Sequence, residues 1–278
     1  MGDERRPDDL SYQQALVYAR ELRELYHRSR ASADDMREAG EKRQRIARVL
    51  SGVGLRIVFQ PISNLETGGV AGVEALARFA DGRGPATWFA EAQSVDLEED
   101  LDLAAVRAAL AHLEHLPPGA FLSLNVSPAT AASETFRAVL DPLPCERIVL
   151  EITEHARIED YEMLDESLRW IRRRSGRLAV DDAGAGFASL RHILSLDPDV
   201  IKLDISLTRN VDTDRARRAL ARALITFANE IGAMIVAEGI ETEGELQALQ
   251  ELGVTYGQGF HLARPARIEA VAARMSAA

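Results

Sequence analysis

The sequence predicts an α/β protein that closes into a (β/α)8 TIM-like barrel, preceded by an N-terminal helical segment. Eight short aliphatic runs alternate with longer segments of helical periodicity. Each run carries a polar side chain at or near its C-terminal end, which favours a barrel because a barrel gathers all its strand ends in one mouth. A doubly wound open sheet has the same alternation of strands and helices and is the alternative.

Length and composition bound the class of protein. The chain has 278 residues, of which 46% are hydrophobic and 28% charged, and a barrel can use about 250 residues as one domain. A net charge of −11 argues against a DNA or RNA polymer or a membrane surface as partner, since such binding needs clustered cations. The single cysteine, Cys145, excludes an internal disulfide, and no long uncharged apolar run is present. We therefore expect a cytoplasmic location.

The first 46 residues are predicted to form a helical linker or extension, and residues 47–278 the barrel. Ser11 and Gln14 have the form of a capping box, and good helix formers follow as far as Gly40. A second helical piece is predicted over Glu41 to Leu50. A weak heptad seam runs through Ala15, Tyr18, Leu22, Leu25, Ser29, Ser32, Met36 and Ala39. This segment is either a surface-packed linker or a dimerising, signal-transmitting helix.

The predicted strands follow in order, with helical segments between most of them. Only a short turn, Ser63 to Gly68, separates the first two strands. Because parallel neighbours need a crossover of a dozen or more residues, this pair should be an antiparallel hairpin. The predicted strands are Leu55 to Ile62, Gly69 to Leu76, Ala120 to Val126, Arg147 to Thr153, Arg177 to Asp182, Val200 to Asp204, Met234 to Glu238 and Tyr256 to Phe260.

Polar side chains lie where these strands end. Singly, each could cap a helix or form a surface ion pair, but alternation along the strands places them on the face opposite the aliphatic side chains. We expect the aliphatic faces to pack on the helices and the polar faces to point into the mouth. The polar set comprises Gln60, Glu74, Asn125, Glu151, Asp181, Asp182, Lys202, Asp204, Glu238 and Gln258.

Several carboxylates in one mouth need a compensating charge. Two carboxylates about 4 Å apart repel by about 4 kcal/mol at an effective dielectric of 20. Protonation is one solution, at the cost of large pKa shifts. Hard divalent cations such as Mg²⁺ or Mn²⁺ are the other, because they prefer carboxylate and amide oxygens. Adjacent Asp181 and Asp182 could serve two ions if the chain bends there, and paired ions cleave phosphate esters.

Lys202 stands out because Lys42 and Lys202 are the only lysines among 33 basic residues. A compact ammonium among acids can hold a water or a substrate oxygen. A Schiff-base aldolase using Lys202 is a competing interpretation, but surrounding acids should raise the pKa of the lysine and disfavour it. Arg78, beyond the second strand, could clamp a substrate phosphate.

The same residues resemble the motifs of the EAL-domain cyclic-di-GMP phosphodiesterase family. Eight motifs occur in the order of the family, over roughly residues 47 to 270. They are Gln60–Pro61, Glu74 to Arg78, Asn125 with Ser127, Glu151 to Glu154, Asp181 to Leu190, Asp199 to Asp204, Ala237 to Glu241, and Tyr256 to Phe260 with Pro265. The sequence departs from the family in the loop after Asp182, where Ala183 and Ala188 replace an aromatic residue and a serine.

The resemblance implies a barrel with an antiparallel first strand and metal-dependent hydrolysis of cyclic di-GMP to linear pGpG by a two-metal attack of water. It implies that Glu74, Asn125, Glu151, Asp181 and Asp182 hold the metal ions, and that Lys202 and Glu238 act on the attacking water, with Glu74 and Asp181 also in the catalytic set. Gln60 and Arg78 would contact substrate, and Gln258 would support the water or the second metal site. Supporting positions would be Thr153, Glu154, Asp204 and Glu241.

Two matters stay open at this point. Some members of this family only bind the dinucleotide or a protein partner, so a catalytically weak binding module on the same barrel is the alternative. The resemblance also leaves open a homodimer and the identity of the general base.

Overall fold

The computed structural model describes residues 34–153, 161–183 and 189–277, and its centre is a closed eight-stranded barrel. The strands follow one another around the barrel in sequence order, so the open sheet is excluded. They are β1 (Leu55–Asn64), β2 (Val70–Phe79), β3 (Phe121–Asn125), β4 (Ile148–Thr153), β5 (Arg177–Ala183), β6 (Val200–Leu203), β7 (Met234–Ala237) and β8 (Tyr256–Gly257).

The first strand runs against the other seven. β1 pairs antiparallel with β2 on one side and with β8 on the other, whereas the remaining neighbours are parallel. The turn between β1 and β2 is held by Asn64, whose side-chain oxygen accepts hydrogen bonds from the backbone of Glu66 and Thr67 at 2.9 Å. The predicted hairpin is therefore confirmed, and its short turn explains the reversed strand.

Helices surround the barrel, and the residues that cap their ends can be read from the sequence. At the start of α9 (Arg215–Ile231), the side chain of Asp214 accepts hydrogen bonds from the backbone of the first turn. The same helix ends at Gly232, which has a φ of 76° in the left-handed region. The helices are α1 (residues 34–50), α2 (Pro85–Gln93), α3 (Glu98–Leu110), α4 (Pro128–Ala132), α5 (Glu134–Leu140), α6 (Tyr161–Arg173), α7 (Ser189–Leu196), α8 (Ile205–Thr208), α9 (Arg215–Ile231), α10 (Glu243–Glu251) and α11 (Ile268–Ala277).

The apolar core lies mainly between the barrel and the helices. Alternate residues of the strands, such as Leu122 and Leu124 of β3, are buried in this outer layer. A smaller apolar cluster fills part of the barrel interior and consists of Ile62, Val149, Ala179, Val200 and Val236. The polar side chains predicted to face inward lie above that cluster, toward the C-terminal ends of the parallel strands.

The N-terminal helix differs from its predicted form. A break at Gly40 is wrong, because α1 runs without interruption through that residue. A glycine inside a helix costs about 1 kcal/mol, but Ile46 and Val49 of α1 are buried in a cluster with Phe79 and Trp88, and this packing outweighs the cost. The heptad positions from 15 to 32 and the capping box lie outside the described residues, and the boundary at residue 46 stays a prediction.

Several strand ends also differ from the prediction. β8 has two residues, Tyr256 and Gly257, instead of five, and Glu238 lies one residue beyond β7. β6 stops before Asp204 because that side chain accepts a hydrogen bond from the backbone of Ser206 at 2.8 Å and begins α8. Within the described ranges, no helix has the length and apolarity that crossing a membrane requires.

Candidate active site

The predicted polar residues meet in the barrel mouth around Lys202. This side chain is 1% exposed, and its Nζ lies 2.8 Å from Glu151, 2.7 Å from Glu238, 3.1 Å from Asp181 and 3.5 Å from Glu74. Burial alone would lower the pKa of Lys202, but the four carboxylates outweigh it and hold the pKa well above its usual value. The ammonium is therefore a fixed positive charge.

Glu74 is the carboxylate with the most polar partners. It accepts hydrogen bonds from the side-chain amides of Gln258 at 2.7 Å and Asn125 at 2.9 Å. Burial would raise its pKa, but the charge of Lys202 and these two amides outweigh burial, so the pKa lies below its usual value. Glu74 is thus held ionised on the barrel wall.

Glu151 and Glu238 titrate in the opposite direction. Burial, followed by the charge of Glu74, raises the pKa of Glu151 well above its usual value. Burial also raises the pKa of Glu238 to about 8, against the opposing effect of Lys202. Gln258 donates a hydrogen bond to Glu238 at 2.8 Å as well as to Glu74. The mouth therefore contains carboxyl groups whose pKa values are shifted in opposite directions, all within reach of one ammonium.

The backbone bends where the two adjacent aspartates lie. The pairing between β5 and β6 shifts register between Val180 and Ala183, and Asp182 has a φ of 58°, in the left-handed region. One ligand atom each of Asp181, Asp182 and Glu238 lies within 4.8 Å of the others. The predicted bend thus brings both aspartates toward Glu238.

Asp181 offers an oxygen suited to a cation. Its Oδ1 is buried and lies 3.1 Å from the ammonium of Lys202, so this oxygen already faces a positive charge. Carboxylates and an amide are the ligands that hard divalent ions prefer, and no histidine belongs to the described acidic cluster. The donor set fits Mg²⁺ or Mn²⁺ better than zinc.

A wide cavity opens beside these acids. Its volume is about 870 Å³, and Glu74, Asn125 and Glu151 form its inner wall. Its outer walls are mainly apolar side chains of α2 and α3, including Phe89. A cavity of this size with a few polar groups at one end can hold a small organic ligand against the acids.

The sequence profile of the EAL domain matches residues 43–265. The chain belongs to the EAL domain family. Among its curated relatives, a cyclic di-GMP phosphodiesterase of Pseudomonas aeruginosa is 31% identical, over 76% of this chain and 38% of that protein. A probable cyclic di-GMP phosphodiesterase of Escherichia coli is 29% identical, over 75% of this chain and 43% of that protein. The chain thus spans about two fifths of the length of these relatives.

Solved structures of EAL proteins have the same fold. The complex of Klebsiella pneumoniae BlrP1 with manganese and cyclic di-GMP, at pH 9.0, superposes with a TM-score of 0.69 at 28% identity, over 77% of this chain and 57% of that one. An EAL enzyme bound to cAMP and cyclic di-GMP superposes with a TM-score of 0.79 over 98% of this chain and 77% of that one, and at 20% identity this match bears on the fold alone.

In this EAL domain, two predicted substrate contacts are not among the partners of Lys202. Arg78 is half-buried, donates to the carbonyl oxygen of Ala77 at 2.8 Å, and forms no ion pair with a carboxylate of the described ranges. Gln60 is buried opposite Glu74 in the β1–β2 pairing and donates to the carbonyl oxygen of Ala263 at 3.4 Å. Their roles in substrate binding stay predictions.

The supporting positions fall into two groups. Asp204 caps α8, and Glu241 forms an ion pair with Arg209 at 2.8 Å. Both therefore hold loops beside the mouth. Glu154 lies outside the described residues, as does the side chain of Thr153.

Two hydroxyl groups that contact the site were not among the predicted site residues. Ser123, two residues before Asn125 in β3, donates a hydrogen bond to Glu151. Thr208 donates a hydrogen bond to the carbonyl oxygen of Glu238. Alternation along β3 places Ser123 on the inward face, so its position could have been predicted. Thr208 could not, because its contact depends on how α8 packs against the loop after β7.

Proposed function

We propose that this EAL domain hydrolyses one phosphodiester bond of cyclic di-GMP and releases linear pGpG. The observation that supports this most directly is the cluster of four carboxylates around Lys202 beside a ligand-sized cavity. Membership of the EAL family and relatives named as cyclic di-GMP phosphodiesterases support cyclic di-GMP as the substrate.

The residues of the mouth fit two divalent ions. Glu74, Asn125, Glu151, Asp181 and Asp182 are the proposed ligands, with Mg²⁺ or Mn²⁺ as the ions. When bound, such ions supply positive charge to the phosphate and activate a water for attack. The grouping of Asp181 with Asp182 and Glu238 supports this assignment, because one ligand oxygen of each lies within 4.8 Å of the others.

The chain itself would orient the reacting groups. Lys202 would place a positive charge beside the attacking water, since its four carboxylate neighbours fix the position of Nζ within the mouth. Glu238, whose carboxylate lies 2.7 Å from Nζ of Lys202, would exchange a proton with that water. Gln258 keeps Glu74 and Glu238 at a fixed separation through its two hydrogen bonds. Arg78 and Gln60 would contact the substrate.

A dinucleotide-binding or protein-interaction module without turnover is the alternative. All the proposed ligand residues are present in the described mouth, and this favours the enzyme over the binding module. A Schiff-base mechanism at Lys202 is disfavoured, because that chemistry needs an unprotonated amine and the acids around Lys202 raise its pKa.

The test is to incubate purified protein with cyclic di-GMP and Mn²⁺ and to measure pGpG by chromatography. We expect one molecule of pGpG to form for each molecule of cyclic di-GMP consumed, and no pGpG to form with the Glu74→Ala variant. Retained binding of cyclic di-GMP with no pGpG formed by the unmodified protein would favour the binding module. A homodimer and a cytoplasmic location stay predictions that sedimentation and cell fractionation would check.

A further inference from the structure

A second cavity lies at the opposite end of the barrel from the mouth. Its volume is about 380 Å³, and its rim includes the first residues of several strands, such as Arg177 of β5 and Tyr256 of β8. Its walls are the apolar interior cluster, in which Ala179 occupies a position that a larger side chain would fill. We call this space the lower cavity.

Arg177 is a cation at the rim of the lower cavity that forms no ion pair within the described ranges. Its guanidinium lies 4.8 Å above the ring of Phe121, and it makes no hydrogen bond or ion pair with any residue of the described ranges. Burial lowers its pKa, although the charge of Asp199 partly offsets this. Asp199 instead accepts a hydrogen bond from the backbone of Leu178 at 2.8 Å. Arg177 therefore loses hydration without gaining a hydrogen-bonded ion pair in return.

The upper end of the lower cavity is polar but carries no free positive charge. Ser123, Glu151 and Lys202 reach it from the mouth side. The ammonium of Lys202 is already matched by carboxylates, and Glu151 would repel an anion placed close to it. A ligand should therefore keep its anionic group at the rim and direct its apolar part inward.

We propose that the lower cavity binds a small organic monocarboxylate, with the carboxylate paired to the Arg177 guanidinium and the apolar body among Val149, Val200 and Val236. A guanidinium binds a carboxylate through two parallel hydrogen bonds, and the volume suits an aromatic or short aliphatic acid. This site is independent of the proposed phosphodiesterase activity.

Benzoate is a suitable probe, and benzamide is its neutral counterpart. Binding to the full chain would be measured by calorimetric titration and by chemical shift changes of the protein. We expect saturable benzoate binding, at least tenfold weaker binding of benzamide, and at least a tenfold loss of benzoate affinity in Arg177→Gln. The matched control is Arg107→Gln, which removes an exposed arginine of α3 and should bind benzoate as the unmodified protein does.

A second variant tests the location independently of Arg177. Val70→Phe, at a partly exposed position at the start of β2, would place an aromatic ring in the lower cavity and should weaken benzoate binding without loss of folded structure by circular dichroism. Equal benzoate affinity in Arg177→Gln and Arg107→Gln, equal binding of benzamide, or no saturable binding up to the solubility limit would overturn the proposal. Turnover of cyclic di-GMP is not a readout here, so an inactive protein would leave the result valid.

Discussion

Replacing Lys202 tests whether the mouth needs a small ammonium at one point or only a positive charge. In Lys202→Arg the charge stays, but a planar guanidinium cannot occupy the position of Nζ, which lies 2.7–3.5 Å from four carboxylates and is closed to solvent. The carboxylates would have to move apart, and a displacement of about 1 Å in a reacting group can cost about 100-fold in rate.

We expect Lys202→Arg to lower kcat for cyclic di-GMP about 100-fold and to change KM much less, because the proposed substrate contacts lie elsewhere. The assay is the initial rate of pGpG formation in Mn²⁺ over a range of substrate concentrations. Lys42→Arg is a matched control, since Lys42 lies on α1, pairs with Glu38 at 2.8 Å and forms no ion pair with the carboxylates around Lys202. Its kcat should equal that of the unmodified protein.

Lys202→Met separates charge from position. Removing one partner of a buried ion pair costs about 3–5 kcal/mol, so the metal-free variant should unfold at a clearly lower urea concentration. Added Mn²⁺ should recover part of the loss, because a cation among the same carboxylates replaces the missing charge. A Lys202→Arg variant with near-normal kcat would refute the positioning role, and a Lys202→Met variant of unchanged stability would refute the charge argument.

The remaining predictions concern the metal ions, the substrate and a buried acid. Excess EDTA should abolish pGpG formation and Ca²⁺ should not replace Mg²⁺ or Mn²⁺, because Ca²⁺ accepts more ligands in looser geometry; full activity in EDTA would contradict the two-metal proposal. Glu74→Ala should abolish turnover, whereas Arg78→Ala should mainly raise KM, and unchanged constants in Arg78→Ala would show that it does not contact substrate. Asp102, buried on α3, has a pKa raised above 3.8, chiefly by burial, so its ionised form opposes folding at neutral pH and this effect vanishes below pH 3.8. Asp102→Asn should therefore raise Tm at pH 7 and lose that advantage as the pH falls, and an advantage that is the same at every pH would contradict this.

The barrel could be predicted from the sequence because its determinants are local and repeated. Alternating side chains in each strand separate an aliphatic outer face from a polar inner one, as Leu122 and Ser123 illustrate. The turn after Asn64 is too short for a crossover, which fixes the direction of the first strand. Because barrel closure brings all strand ends together, most of the site residues followed from the same pattern.

Features that depend on packing between distant elements could not be predicted. Helix α1 continues through Gly40 because Ile46 and Val49 further along it find a buried apolar surface, which no local rule anticipates. The ends of β6 and β7 depend on α8, which Asp204 caps and whose Thr208 donates a hydrogen bond to the carbonyl oxygen of Glu238. The opposite pKa directions of Glu74 and Glu151 likewise arise from burial and charge in three dimensions.

The reversed first strand changes the side from which the preceding chain reaches the barrel. In a barrel of eight parallel strands, the first strand begins at the face remote from the active site. Here Leu55, the first residue of β1, lies opposite Phe79, the last residue of β2, so α1 arrives at the catalytic face. Its Arg45 forms an ion pair with Glu91 of α2 at 3.0 Å, and α2 lines the large cavity beside the acids. A shift of the N-terminal helix would thus act on the wall of the large cavity through α2, by this ion pair and by the packing of Ile46 and Val49 with Trp88, without passing through the barrel.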